Sequence, residues 1–319
     1  MVWLWVAAAV IVAAGLLVLL VHTLLRICCG RQLTGLPALI IRRGQDNGSP
    51  VPPEAAEGRA FWKAACPEKV SIRSFDGLTL RGEYLVRPGS VRTVVCVHGY
   101  RATGIENFAP VLPVLADMGC DILLIDQRAC GASEGKAITF GMKERFDVLA
   151  WCRWLTEERG VTQPVFLDGI SLGCSTVLMA SDLDLPENVR GIIADCGYTS
   201  AYEIIASVMK RMLKIPPGPV MPLLQLAARA ELGMPLDAVS AEDCVRRTTI
   251  PVLFAHGEQD HFGPAEMGKR NHAACASRKW LLLSPEAAHG ESWLKSREEY
   301  TRLICELFAL APETPVQEV

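Results

Sequence analysis

Pro164-Val165-Phe166-Leu167-Asp168-Gly169-Ile170-Ser171-Leu172-Gly173-Cys174-Ser175-Thr176-Val177-Leu178-Met179-Ala180 is the stretch on which the fold turns. Its first five residues form an apolar run with the length of a buried strand, and residues 174–180 read as the opening turns of a helix. A strand that turns sharply into a helix around one serine crowds the backbone two positions to either side, so small residues are needed there. Gly169 and Gly173 meet that need. A Gly/Ser turn without chemistry matches the same five residues, so the rest of the chain must offer a base, an acid and oxyanion donors in a consistent order.

Working outward, the same alternation of strand and helix recurs. Residues 70–75 and 78–86 alternate apolar and polar around Asp76-Gly77, a hairpin signal. Residues 93–97, 121–126, 189–195, 251–255 and 279–283 are short apolar runs of the kind buried on both faces of a sheet. Helical periodicity marks residues 109–118, 142–159 and 291–310, and residues 199–247 read as mostly helical with a break at Pro216-Pro217-Gly218-Pro219. The pattern predicts a parallel sheet covered by helices on both faces, with ligands at the carboxyl ends of its strands. Internal repeats and low-complexity tracts are absent from the sequence.

Several chemically able groups fall at those strand ends. A serine hydroxyl is a poor nucleophile at neutral pH and needs an imidazole to take its proton and a carboxylate to hold that imidazole's tautomer. Ser171, Asp260 in His256-Gly257-Glu258-Gln259-Asp260-His261, and His289 in Ala287-Ala288-His289-Gly290 occur in the order nucleophile, acid, base. His98, His256, His261 and His272 are rival bases, but His256 stands early in its loop and His272 in a predicted helix. Asp195 also ends a strand and is the main competitor for the acid, with Glu258 nearby. The developing oxyanion needs backbone donors, for which the amides of Leu172, next to the nucleophile, and Tyr100, in the His98-Gly99-Tyr100-Arg101 loop, are placed.

After the strand ending at Ile125 the chain reads Asp126-Gln127-Arg128-Ala129-Cys130-Gly131-Ala132-Ser133. This resembles the Asp-x-Arg-Gly-x-Gly-x-Ser loop of the α/β-hydrolase serine esterases. Together with His98-Gly99-Tyr100, the Ser171 turn, Gly257-x-x-Asp260 and His289, the resemblance spans residues 70–310. It implies a sheet of about eight strands, mostly parallel, and a Ser-His-Asp hydrolase. The family's nucleophile, acid, base and oxyanion positions fall on Ser171, Asp260, His289 and the amides of Tyr100 and Leu172. Ala129 stands where Gly is usual, and Gly263 where relatives often carry Val before the Pro matching Pro264. Asp126 and Arg128 are read as ordering their loop.

Residues 2–25 are apolar except for His22 and Thr23, long enough as a helix to cross a bilayer. The start carries no Lys or Arg and the run is long, which favours a retained anchor over a cleaved signal. Arg26, Arg31, Arg42 and Arg43 follow it, placing the domain on the cytoplasmic side, with an extracytoplasmic orientation as the alternative. Cys28 and Cys29 are read as an interfacial turn rather than as acylation sites. Residues 44–58 read as a tether. The expected organisation is an anchor at 1–27, a juxtamembrane segment and tether at 28–66, and a catalytic domain at 67–319 with a helical lid at about 199–247.

In 319 residues the net charge is −3, which offers no field for nucleic acid. Twelve scattered cysteines, among them Cys96, Cys120, Cys152, Cys174, Cys196 and Cys305, lack metal-ligand spacing and read as buried thiols. No metal or organic cofactor is implied, because the three side chains supply nucleophile and proton transfer themselves. The apolar lid, rich in Met, favours small-molecule esters with acyl or lipid-derived chains. A peptidase with the same residues would need a charged pocket that Glu203, Lys210, Arg211 and Glu231 do not identify, and a non-catalytic membrane-tethered binding protein would leave the catalytic set idle.

Overall fold

The computed structural model describes residues 1–31 and 52–311. Arg42, Arg43 and residues 44–51 of the expected tether lie outside the described residues. In chain order the elements that position the site are α1 (Val2–Cys29), α2 (Pro53–Ala65), β1 (Glu68–Arg73), β2 (Thr79–Leu85), β3 (Arg92–Val97), β4 (Cys120–Asp126), α3 (Glu144–Arg153), β5 (Val165–Ile170), α4 (Leu172–Ala180), β6 (Val189–Asp195), α5 (Ala201–Arg211), α6 (Pro217–Glu231), β7 (Val252–Gly257), α7 (Ala265–Ala274), β8 (Lys279–Ser284) and α8 (Arg297–Phe308).

The strands form one eight-stranded sheet in the order β1-β2-β4-β3-β5-β6-β7-β8. β1 and β2 form the hairpin around Asp76-Gly77, where Gly77 takes φ +85° and the Ser74 hydroxyl bonds Asp76. β2 joins β4 antiparallel, and every pairing from β4 to β8 is parallel. The central strands are buried at nearly every position because both faces are covered. Val95, Val97, Leu123 and Ile125 enter the core under α3 and α4, whereas Val94, Cys96, Ile122 and Leu124 enter the core that also holds Leu303 and Leu307 of α8.

Four expectations change. The end of the expected tether is helical: α2 starts at Pro53, where a proline costs no hydrogen bond, and buries Trp62, whose Nε1 donates to Glu83 at 2.6 Å. β8, expected as a buried strand, pairs on one edge only and stays half-buried along most of its length. The last helical stretch is two helices, Ser292–Lys295 and α8, broken at Ser296. Finally, Cys305 is exposed, while Cys96, Cys120, Cys152, Cys174 and Cys196 are buried and none of the cysteines is paired.

The insertion after β6 carries α5, α6 and the short helix Ala241–Val245. Its neck closes where Ser200 bridges Ser240 and where the Ala241 amide donates to Thr199. Arg270 clamps it from outside, reaching both Glu203 and Glu242 at 2.6 Å.

α1 is long and apolar enough to cross a membrane by length and composition. Its outer turns are exposed, but Val21, Leu25 and Cys29 are buried and α1 packs against α6. His22 bonds Glu231 of α6 at 2.6 Å.

Candidate active site

Ser171 sits between β5 and α4 with φ +56° and ψ −112°, a strained conformation that lifts its side chain off the end of the sheet. Both flanking glycines are sterically required. A Cβ on Gly173 would lie 1.8 Å from the Val97 carbonyl oxygen, and one on Gly169 would lie 2.5 Å from that of Gly173.

The loops after β7 and β8 bring the Asp260 carboxyl and the His289 imidazole to this turn. His289 Nε2 is 2.8 Å from Ser171 Oγ, and His289 Nδ1 is 2.6 Å from Asp260 Oδ2. Asp260 Oδ1 accepts from the amides of Phe262 and Gly263 at 2.8 Å each. Burial pushes the Asp260 carboxyl up, but hydrogen bonds from His256, His289 and the Gly263 amide outweigh it and hold the group well below the usual carboxylate range. An ionised carboxylate only accepts, so Nδ1 of His289 carries the proton and Nε2 is left to accept from the serine hydroxyl. Close packing holds the two loops together, since a Cβ on Gly257 would lie 2.2 Å from the Ala287 carbonyl oxygen.

The loop after β3 faces the opposite flank of Ser171. The Gly99 amide donates to Asn107 Oδ1 at 2.6 Å, and the position of a Gly99 Cβ is 3.4 Å from Ser171 Cβ. The next amide, Tyr100 N–H, has no acceptor among the described residues. Leu172 opens α4, where the first N–H groups lack intrahelical partners. Two unspent donors beside a serine Oγ are the requirement for binding a developing oxyanion.

Comparison with known proteins bears on the fold. The family described as alpha/beta hydrolase fold matches residues 92–219. The esterase Pf2001 of Pyrococcus furiosus superposes with a TM-score of 0.62 over 78% of this chain and 94% of its own, at 22% identity. The chain has the α/β-hydrolase fold. The uncharacterized protein YqkD of Bacillus subtilis is 25% identical over 84% of this chain and 85% of its own length. The lysophosphatidylserine lipase ABHD12 of Danio rerio is 27% identical over 59% of this chain and 48% of its own.

Within this fold the other candidates have different employment. Asp195 is buried beside the site, but its carboxylate accepts from Ser292 Oγ at 2.7 Å while His289 bonds Asp260. Burial, partly countered by Ser292 and the nearby imidazoles, pushes Asp195 up to about 6. Asp168 beneath the serine turn is raised well above the ordinary value by burial and by the charge of Asp195. His98 is buried and ties its loop to the next, accepting from the Gln127 amide at 2.9 Å. Arg128 bonds both oxygens of Asp147 at 2.6 Å and also Asp76, while Asp126 accepts from the Ala132 amide, so both order their loops. Ala129 takes φ +57°, which accounts for the Gly usual in the fold's loop at that position. His261 is exposed and His272 lies on α7, half-buried and edge-on to Phe254.

His256, set aside as a base because it stands early in its loop, has a place that the sequence did not reveal. It is 1% exposed, its Nε2 lies 2.8 Å from the Gly263 carbonyl and 3.3 Å from Asp260 Oδ2, and its buried Nδ1 has no partner among the described residues. Burial disfavours its protonation, but Asp260 and the Gly263 carbonyl outweigh that and raise its pKa. Asp260 is therefore held between two imidazoles. Phe262 lies against His289, with ring centroids 4.9 Å apart.

Proposed function

We propose that the chain is a membrane-attached serine hydrolase that cleaves carboxylic esters with acyl or lipid-derived chains through Ser171, His289 and Asp260. The observation that carries this reading is the unbroken line from Ser171 Oγ through His289 to Asp260, with bonds of 2.8 and 2.6 Å. In the reaction Ser171 Oγ attacks the ester carbonyl as His289 Nε2 takes its proton, and Asp260 stabilises the imidazolium. The amides of Tyr100 and Leu172 bind the oxyanion. His289 then protonates the departing alkoxide, and an acyl-enzyme on Ser171 remains. Water, deprotonated by the same Nε2, attacks that acyl carbon, and collapse of the second oxyanion releases the acid and returns the proton to Ser171.

The preference for acyl chains is supported by one continuous apolar cluster. It joins Val21 and Leu25 of α1, Ile204 and Met209 of α5, and Met221 and Leu224 of α6, with Tyr100 and Phe262 packed against it. The reaction classes named for the Pyrococcus and Danio proteins, an esterase and a lipase, agree with this reading. The insertion at residues 199–247 then serves as the lid, within a catalytic domain starting near residue 67.

A retained helix fits better than a cleaved signal. Removing it would expose the surface that now buries Leu25 at 1% and Cys29 at 2%. Arg26 and Arg31, on the domain side of the span, favour a cytoplasmic domain. Protease protection in sealed vesicles tests that orientation, and protection of the domain from protease added on the extracytoplasmic side is the expected result. Kinetics on a p-nitrophenyl ester series test the activity: turnover should rise with acyl length before solubility limits it, and no hydrolysis at any length would remove the proposal.

A further inference from the structure

The last turn of α1 ends on the loop that carries the Tyr100 amide. Tyr100 Oη donates to the Cys28 carbonyl at 2.6 Å. Arg101 Nη2 donates to the carbonyls of Ile27 at 2.8 Å and Gly30 at 2.7 Å, and its Nε to Gly30 at 3.2 Å. These carbonyls belong to the end of a helix, where no later turn supplies donors and where a cation meets the negative end of the helix dipole. On its other side the Cys29 carbonyl accepts from the Ile138 amide at 2.6 Å, and the Arg31 amide donates to Lys136 at 3.1 Å. Arg31 also reaches the carbonyls of Gly131 and Ser133.

The loop holds a conformation that needs such support. Arg101 takes φ +54°, a left-handed conformation that is unfavourable for a residue with a side chain. Its guanidinium lies 4.6 Å over the Tyr100 ring, and that ring stacks on Phe140 at 5.6 Å. The peptide proposed above to supply the oxyanion donor is the one between Gly99 and Tyr100, beside Ser171. Its amino-terminal side is held by Asn107. On its carboxyl-terminal side, the Tyr100 side chain and the following residue are both fastened to α1.

We infer that the carboxyl end of α1 is a positioning part of the oxyanion loop, so that the Tyr100 amide meets the developing charge in register only while the helix is docked. The helix thus does more than tether the domain: its seating in the membrane and the transition-state complementarity of the site are linked. This inference rests on the serine-hydrolase reading above. It assigns Tyr100 Oη, Arg101 and Leu25 as positioning groups, acting through the amide and not on the substrate.

The test uses the full chain in nanodiscs, with rates normalised by active-site titration so that unfolded molecules do not count. Arg101→Asn removes the clamp while tolerating the left-handed backbone, Tyr100→Phe removes one hydroxyl while keeping the amide and the stack, and Leu25→Ala loosens the helix from its own side. For the Arg101→Asn/Tyr100→Phe double variant, kcat per titrated site should fall by about 10- to 100-fold, short of the loss from deleting an oxyanion donor outright. KM should stay within about twofold, and affinity for a trifluoromethyl ketone, which places a negative oxygen between the two amides, should fall in parallel with kcat/KM. Leu25→Ala should show the same split to a smaller degree. A kcat per site within twofold of wild type, or a loss confined to KM or to the number of titrated sites, overturns the inference and leaves the hydrolase reading standing. A wild type that neither turns over esters nor titrates removes both.

Discussion

The two flanks of Ser171 are fastened by different means. On the acid-base flank the groups bonded to Asp260 lie within residues 256–289. Gly257 packs on Ala287, Asp260 takes the amides of Phe262 and Gly263, and both imidazoles on that carboxylate belong to residues 256–289. On the oxyanion flank the fastening reaches Cys28, Ile27 and Gly30, more than 70 residues away in sequence. A flank closed on itself keeps its geometry whatever happens at the membrane. A flank fastened to α1 does not, and that contrast is what substitutions can break or sharpen.

The largest effect belongs to the residue that both flanks serve. Ser171→Ala should lower ester hydrolysis per folded molecule by about 10⁶-fold, leaving only residual binding and oxyanion catalysis. A steady-state assay with the folded fraction measured by circular dichroism checks it. Asp260→Asn follows, with kcat reduced by about 10⁴-fold because the imidazole loses its tautomer. Asp195→Asn should keep activity within about threefold, since its carboxylate serves Ser292 and not the base. A reversal of those two results would transfer the acid to Asp195.

A smaller effect probes how closed the acid-base flank is. His256→Phe leaves the Gly263 carbonyl unpaired and removes one donor from Asp260. The loss of one hydrogen bond to a charged acceptor predicts a kcat reduced by about 10-fold. KM should hold, and His256→Gln should recover part of the rate by restoring a donor. Equal loss in both variants would mean that the ring only fills space.

The smallest effect is on stability. Asp195 is raised from 3.8 to about 6, so between those values the folded state holds a proton that the unfolded state has released. The stability from this group is fully present below pH 3.8 and is lost as pH rises through about 6. Asp195→Asn removes that slope, worth on the order of 1–3 kcal/mol. Relative to wild type the variant should gain melting temperature at pH 8 and little at pH 4, as thermal unfolding across that range would show.

Much of this arrangement was legible because strand ends write their geometry into neighbouring residues. The crowding around Ser171 demands Gly169 and Gly173, and the continuous apolar runs follow from a sheet covered on both faces. Position after a strand could not separate Asp260 from Asp195, because both follow strands and lie near His289. What separates them is the direction of each side chain, set by the Phe262 and Gly263 amides in one case and by Ser292 in the other. The α2 helix was hidden by prolines that read as a tether but start a helix. The docking of α1 on the oxyanion loop left no mark in residue types, because Tyr100 and Arg101 donate to backbone carbonyls, which every residue has.

The central claim is that Ser171 is a nucleophile activated by His289. Intact-mass and peptide mass spectrometry after treatment with a fluorophosphonate test it most directly. One adduct should form per chain, on the peptide containing Ser171, and Ser171→Ala and His289→Ala should each abolish it while the protein stays folded. A folded wild-type chain that takes up no adduct, or takes it up on another residue, would contradict the account.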